Sequence, residues 1–145
     1  NMLDLFQEMR LAAMIHKGST RDPKVVSAEE ALEMATIHGA KALGLDGKGG
    51  IGSLEVGKKA DFVGIPLKRA HQVPNYDPVA TVVYATNAGD VSLVVIDGRV
   101  VVENGILQTM DEDQVMKEGI AAGKAVIKRA GLETTIVPKW PVITN

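Results

Sequence analysis

Three histidines, a run of glycines and one carboxylate inside an apolar stretch are the residues whose chemistry could give this chain an activity. Two histidines share a metal when local structure sets them side by side, as in H-x-H on a strand or H-x-x-x-H on one helical face. His16, His38 and His71 form no such pair. A lone helical histidine more often caps or packs than ligates. Gly47-Lys48-Gly49-Gly50-Ile51-Gly52 fits the G-x-G-x-x-G pattern. A dinucleotide site needs a strand before that pattern and a helix N-terminus after it, so that the pyrophosphate meets free N–H groups. Here a helical pattern precedes and turns follow, so the run reads as a glycine-rich connector. Gly52 to Lys58 nearly spells a phosphate loop, but Lys59 stands where a Ser or Thr would hold Mg²⁺, and a strand follows in place of a helix.

Serines and acids add little. Ser27 is explained as a helix cap, and Ser19, Ser53 and Ser92 sit in no nucleophile elbow. Asp61 is the odd carboxylate, lying in an apolar strand pattern; as a strand-end acceptor for backbone N–H groups it needs no catalytic role. The chain's own residues therefore define no catalytic, cofactor-binding or metal site.

The elements that would position these groups are readable from periodicity. Met2, Phe6, Met9 and Ala13, with Leu5 and Ala12 beside them, recur at helical spacing. They predict a helix from about Leu3 to His16, closed by Lys17 and Gly18. Ser27 with Glu30 is a capping box. It opens a second helix carrying Ala31, Leu32, Ala35, Ala42 and Leu43 on one face and stopping at Gly44. Ala60 to Ile65 reads as a strand, and Lys68 to Pro78 as a long loop. Val79 to Ala85 is either a strand or a short buried helix. Val91 to Ile96, Asp97-Gly98 and Arg99 to Glu103 make a hairpin on a type I′ turn, ended by Asn104-Gly105. A last helix runs from Glu112 to Ala130, capped by Asp111, with Met116, Ile120, Gly123, Ile127 and Ala130 on one face. Beyond Gly131 the segment Glu133 to Asn145, with prolines around Trp140, reads as an extended tail. The fold class is α+β.

Composition narrows the setting. The 145 residues are 46% hydrophobic and 23% charged, with aromatics at only 3%. These are the proportions of a globular chain, with a core built from aliphatic residues, Met and Ala. A net charge of −2 and basic pairs as short as Lys58-Lys59 and Lys68-Arg69 exclude a phosphate-binding patch, and with it nucleic acid. No apolar run reaches the ~18 residues of a membrane span. The absence of cysteine removes disulfides and thiolate sites and fits a reducing cytoplasm. The sequence opens inside a helical pattern, with Asn1 ahead of Met2, as a cut piece or a chain with a tag remnant would.

Several blocks taken in order resemble the amidohydrolase superfamily, in the branch of 5-methylthioadenosine/S-adenosylhomocysteine deaminases and atrazine/triazine hydrolases. They are Leu3 to Ala13, Ser27 to Thr36 and Gly39 to Leu45 on the helices. Then come Ile51 to Val63 (IGSLEVGKKADFV), Tyr76 to Val79, Val83 to Ala85 and Val94 to Val101. The resemblance covers about Leu3 to Gly105. It implies that residues 1–46 are C-terminal helices on the outside of a (β/α)8 barrel and 47–108 the C-terminal strands of a small β-sandwich domain. Residues 109–132 would be a C-terminal helix and 133–145 the extended tail.

The resemblance further implies a parent hydrolase that uses a divalent metal, zinc or iron, to make hydroxide from water and deaminate a nitrogen heterocycle. The family's ligands are an H-x-H pair after the first barrel strand, two later histidines and an aspartate that would fall just before this chain starts. None has a counterpart here, so this piece is expected to be scaffold that binds no cofactor and turns nothing over alone. Its expected partners are the missing N-terminal barrel portion or further copies of itself, since a lone sheet edge and bare helical faces invite pairing. The rival reading is a stand-alone, non-enzymatic domain that self-associates.

Overall fold

A computed structural model of the chain describes residues 3–135. It divides into two compact units, Asn1–Gln108 and Thr109–Asn145.

In the first unit, helix α1 spans Leu5–Thr20 and starts on Asp4, whose carboxylate accepts from the backbone N–H of Phe6 (3.0 Å) and Gln7 (3.3 Å). It does not stop at Gly18 as the sequence suggested. The hydroxyls of Ser19 and Thr20 donate back to the His16 carbonyl at 3.1 and 2.8 Å, which carries the helix one more turn. Arg21, with φ 56°, supplies the left-handed cap instead. Lys17 is drawn away from the helix end to donate to the carbonyl of Val25 at 2.9 Å and to that of Val26.

Helix α2 (Ala28–Ala35) opens on the expected capping box. Glu30 N–H donates to Ser27 Oγ at 3.2 Å, and Ser27 N–H to Glu30 Oε2 at 2.7 Å. The single helix expected to reach Gly44 is in fact broken at Thr36, whose hydroxyl takes the Leu32 carbonyl (2.7 Å) while its backbone turns to ψ −97°. Helix α3 (Ile37–Ala42) restarts from there.

The Val79–Ala85 ambiguity resolves to helix. A one-turn helix α4 (Pro78–Ala80) passes into a π-helical turn, Thr81–Ala85. Asp77 caps it through the Ala80 N–H (3.0 Å), with Pro78 at the first helical position, where its missing N–H costs nothing. Met9 and Ala13 of α1, Ala28 and Ala31 of α2, and Val83 of the π turn form the buried core. Phe6, Val26, Leu32, Val79 and Val82 pack against it.

The sheet is antiparallel throughout, with strands in sequential order: β1 (Phe62–Gly64), β2 (Leu93–Ile96), β3 (Arg99–Glu103) and β4 (Ile106–Leu107). Strand β1 is shorter than the expected Ala60 to Ile65, because Ala60 and Asp61 bond to the hairpin turn rather than along the ladder. Asp97 and Gly98 both take positive φ (51° and 76°), the type I′ geometry. Asn104 and Gly105 (53° and 77°) repeat it. That second pair does not end the sheet, as expected from sequence, but turns the chain into β4, where Glu103 faces Ile106.

In the second unit, α5 runs Glu112–Arg129 with Asp111 accepting from the Gln114 N–H at 3.0 Å, and Gly131 follows at φ 64°. Met116 and Ile120 are exposed on it. Of the tail expected over residues 133–145, the part from 136 onward lies outside the described residues, as does Met2 of the α1 stripe.

Candidate functional site

The densest polar cluster is built by residues distant in sequence. The loop after β1 carries Arg69, His71 and Gln72; the segment after the π turn carries Thr86, Asn87 and Asp90; α1 contributes Arg10. Gln72 and Thr86 are fully buried. Buried polar groups must be paired, and here Gln72 Nε2 donates to Thr86 Oγ1 (3.1 Å). Gln72 Oε1 accepts from the Arg69 N–H (3.1 Å), and Thr86 Oγ1 donates to the Thr81 carbonyl (3.1 Å). Arg10 Nη2 donates to the Thr86 carbonyl at 2.6 Å, which ties α1 to this network.

Beside it, Asp90 Oδ2 accepts from the Asn87 N–H at 2.9 Å and lies 2.8 Å from His71 Nε2. The Asn87 N–H holds the Asp90 carboxyl below its ordinary range, helped by His71 and by the charge of Arg69, against an opposing effect of burial. An ionised carboxylate only accepts, so His71 must carry its proton on Nε2 here. Asp90 thus pins two loops through Oδ2, while its Oδ1 lies 3.8 Å from Arg69 Nε. Nothing in the cluster offers a nucleophile or an open ligand position.

The other candidates lie apart from it. His16 is exposed on α1. His38 is exposed on α3, its Nε2 3.9 Å from Glu33. Among the described residues no group of three or more His, Asp or Glu side chains could hold a metal ion. The residues present do not fit the metal centre that the resemblance implies. Asp61 acts as the strand-end acceptor read from the sequence: its carboxylate receives the Asp97 N–H, and the Gly98 N–H reaches the Ala60 carbonyl at 3.0 Å. With Lys59 3.1 Å from the Asp97 carboxylate, these bonds fasten the hairpin turn to the start of β1.

The glycine run is a packed connector. Gly52 has φ +97°, and a Cβ there would come within 2.7 Å of the Ala40 Cβ, so only glycine lets this turn lie on α3. In the next turn Ser53 donates to Glu55 and Lys58 Nζ reaches Ser53 Oγ (2.6 Å) and Glu55 (3.1 Å). The Ser53 hydroxyl, followed by Lys58, lowers the Glu55 pKa. Among the described residues, no helix is long and apolar enough to cross a membrane.

Arg10, Gln72, Thr86 and Asp90 were not singled out from the sequence. Their partners are mostly 14 to 76 residues away. Only Asn87-Ala88-Gly89-Asp90 carries a local signal, an Asn-x-x-Asp turn box.

The amidohydrolase family model matches residues 1–101. The chain is 49% identical over 115 residues to a 5-methylthioadenosine/S-adenosylhomocysteine deaminase of Acetivibrio thermocellus, covering 79% of this chain and 26% of that protein. It is 41% identical over 130 residues to a 5′-deoxyadenosine deaminase of Methanosarcina acetivorans, covering 90% and 29%. Among solved structures, an adenosine deaminase from Xanthomonas campestris with bound zinc superposes with a TM-score of 0.81 at 30% identity, covering 86% of this chain and 28% of that one. An atrazine chlorohydrolase from Arthrobacter aurescens complexed with zinc gives 0.72 at 30%, covering 80% and 25%.

The fold and these matches define the class. This chain belongs to the amidohydrolase family. It spans under a third of the length of these relatives, and it shares their sequence and fold without a ligand set among its described residues.

Proposed function

We propose that this chain is the C-terminal scaffold of a metal-dependent deaminase acting on an adenosine-like nitrogen heterocycle. In this reading α1, α2 and α3 lie on the outside of a (β/α)8 barrel, and β1 to β4 are the C-terminal strands of a small β domain. The observation that carries it is the 49% identity over 115 residues to a deaminase of which this stretch is only 26%. The zinc of the neighbouring structures would be held by residues outside those described, and this chain's contribution is positional. The Arg10–Thr86 bond ties α1 to the loops flanking the sheet, and the Asp90–His71 bond clamps those loops together. The parent is expected in the cytoplasm.

The experiment is ammonia release from 5-methylthioadenosine. The isolated chain should give none. A polypeptide in which this chain replaces the matched stretch of the Acetivibrio thermocellus deaminase should turn over. Chelator-resistant turnover by the isolated, repurified chain would overturn the scaffold reading.

A second reading, self-association of the isolated chain, is supported by the exposed apolar side chains Leu5, Met14 and Ile15 on α1 and by the outer edges of β1 and β4, which pair with no other strand among the described residues. Light scattering at micromolar concentration should find dimers or larger species; a cooperatively melting monomer would refute it.

A further inference from the structure

Three links of an aspartate or asparagine to a glycine lie in turns of this chain: Asp46-Gly47 between α3 and β1, Asp97-Gly98 between β2 and β3, and Asn104-Gly105 between β3 and β4. A glycine has no Cβ to shield its nitrogen, which at such a link can attack the preceding side-chain carboxyl or amide carbon and close a five-membered imide. Ring closure needs the nitrogen to reach Cγ, and for that the peptide plane joining the two residues has to swing. In both hairpins that plane is tied. Gly98 N–H donates to the Ala60 carbonyl at 3.0 Å, and Gly105 N–H to the Ser92 carbonyl at 3.1 Å. Asp97 and Asn104 are further fixed in the left-handed conformation of a type I′ turn, at φ 51° and 53°.

Asp46-Gly47 is held by no such bond. Both residues are exposed. Among the described residues neither the Asp46 carbonyl nor the Gly47 N–H has a hydrogen-bond partner, and the ion pairs leave the Asp46 carboxylate out. The Ile51 N–H reaches the Leu45 carbonyl and the Gly50 N–H the Gly47 carbonyl, both at 2.8 Å. These bonds close the turn on either side and leave the plane between residues 46 and 47 free to swing.

We infer that Asp46 is a site of spontaneous modification, converting to isoaspartate through a cyclic imide with Gly47. The Gly47 nitrogen forms a bond to Asp46 Cγ, and the amide proton leaves with the carboxyl hydroxyl as water. Water then adds back at either imide carbonyl. One opening restores aspartate, and the other leaves the chain running through Cβ and Cγ. Nothing is oxidised or reduced, and water is the sole co-reactant. The product carries one extra backbone atom inside the turn that Ile51 closes on Leu45, in the connector whose Gly52 lies against Ala40. Chemistry alone ranks the links differently: an amide expels ammonia more readily than an acid expels water, so an unconstrained chain modifies Asn104 first. The fold reverses that order.

The test is incubation of the purified chain at neutral pH in heavy-oxygen water, both folded and in concentrated urea, followed by peptide mapping with mass spectrometry. Each imide that reopens takes one heavy oxygen from solvent and keeps it at Asp46, Asp97 or Asn104. In the folded chain Asp46 should take up label first, with isoaspartate accumulating there. In urea Asn104 should lead. Gly47→Ala should cut the labelling at Asp46 severalfold without changing the melting temperature, because a Cβ at Gly47 meets nothing within 4 Å and its backbone is not left-handed. Asp46→Glu should abolish it, since its acid is one methylene too long for the five-membered ring. Asp97 or Asn104 labelled as fast as Asp46 in the folded chain would overturn the inference, as would labelling at Asp46 that survives Gly47→Ala. Asn104 trailing Asp46 in urea as well would also overturn it, because the hairpin hydrogen bonds would then not set the order.

Discussion

Replacing Val83 by Ala should be the most damaging conservative change in the helical layer. Val83 is 0% exposed and sits in the π-helical turn, against the cluster formed by Met9 and Ala13 of α1 and Ala28 and Ala31 of α2. Three of those four neighbours are alanines, with no side-chain length to move into a void. The substitution removes two buried methyl-sized groups, worth about 0.8 kcal/mol each in transfer free energy, and leaves a cavity that adds to the loss. Of the four buried neighbours only Met9 can swing to fill part of it. The expected cost is roughly 2–3 kcal/mol. Urea unfolding of the isolated chain, followed by circular dichroism, reads it as a lowered midpoint at constant slope. Val100→Ala is the control, since Val100 is 44% exposed on β3, and it should cost less than about 0.5 kcal/mol. Equal losses at the two positions would mean that the α1–α2–π-turn core does not hold the molecule together.

Further outcomes follow from the caps and charges. Ser27→Ala deletes one half of the α2 capping box and should cost about 1 kcal/mol by thermal melting, with Ser27→Gly losing only a few tenths; indifference to Ser27→Ala would refute the box. Asp90 has a depressed folded-state pKa, so its contribution to stability is present above the unfolded aspartate value near 3.9 and is lost as pH falls through the folded value. Asp90→Asn should therefore flatten the acid limb of the stability–pH curve below about pH 4 while destabilising the protein at pH 7. An unchanged acid limb would show that the carboxylate does not ionise in that setting. Asp61→Ala removes the acceptor for the Asp97 N–H and should speed hydrogen exchange at the hairpin turn without unfolding α1 or α2; protection unchanged at Asp97 and Gly98 would refute that fastening.

Local chemistry was legible where the residues that decide it are neighbours. The Ser27–Glu30 box, the Asp97-Gly98 turn and the Asp111 cap could all be read within a few residues, while the acceptor role of Asp61 was legible only in kind, its donor being the Asp97 N–H 36 residues on. The failures have physical causes. The break at Thr36 depends on one hydroxyl choosing the Leu32 carbonyl, and periodicity through Ala35 and Ala42 conceals it. α1 runs past Gly18 because Ser19 and Thr20 return hydrogen bonds to His16. The helical state of Val79 to Ala85 was signalled by Asp77-Pro78, a cap followed by a first-turn proline, while its β-branched residues argued equally for strand. Asn104-Gly105 repeated the hairpin signal, but only two residues of strand follow it. The Arg10–Thr86–Gln72 network joins segments far apart in the chain, and no local spacing announces such a contact.

The most direct test of the scaffold claim is the zinc content of the fusion with the Acetivibrio thermocellus deaminase after His16, His38 and His71 are all replaced by Gln. If this chain positions but does not ligate, elemental analysis will give the same zinc per polypeptide before and after the triple replacement. Zinc that is bound by the parent fusion and lost from the triple variant, while both melt cooperatively, would place a metal ligand in this chain and contradict the account.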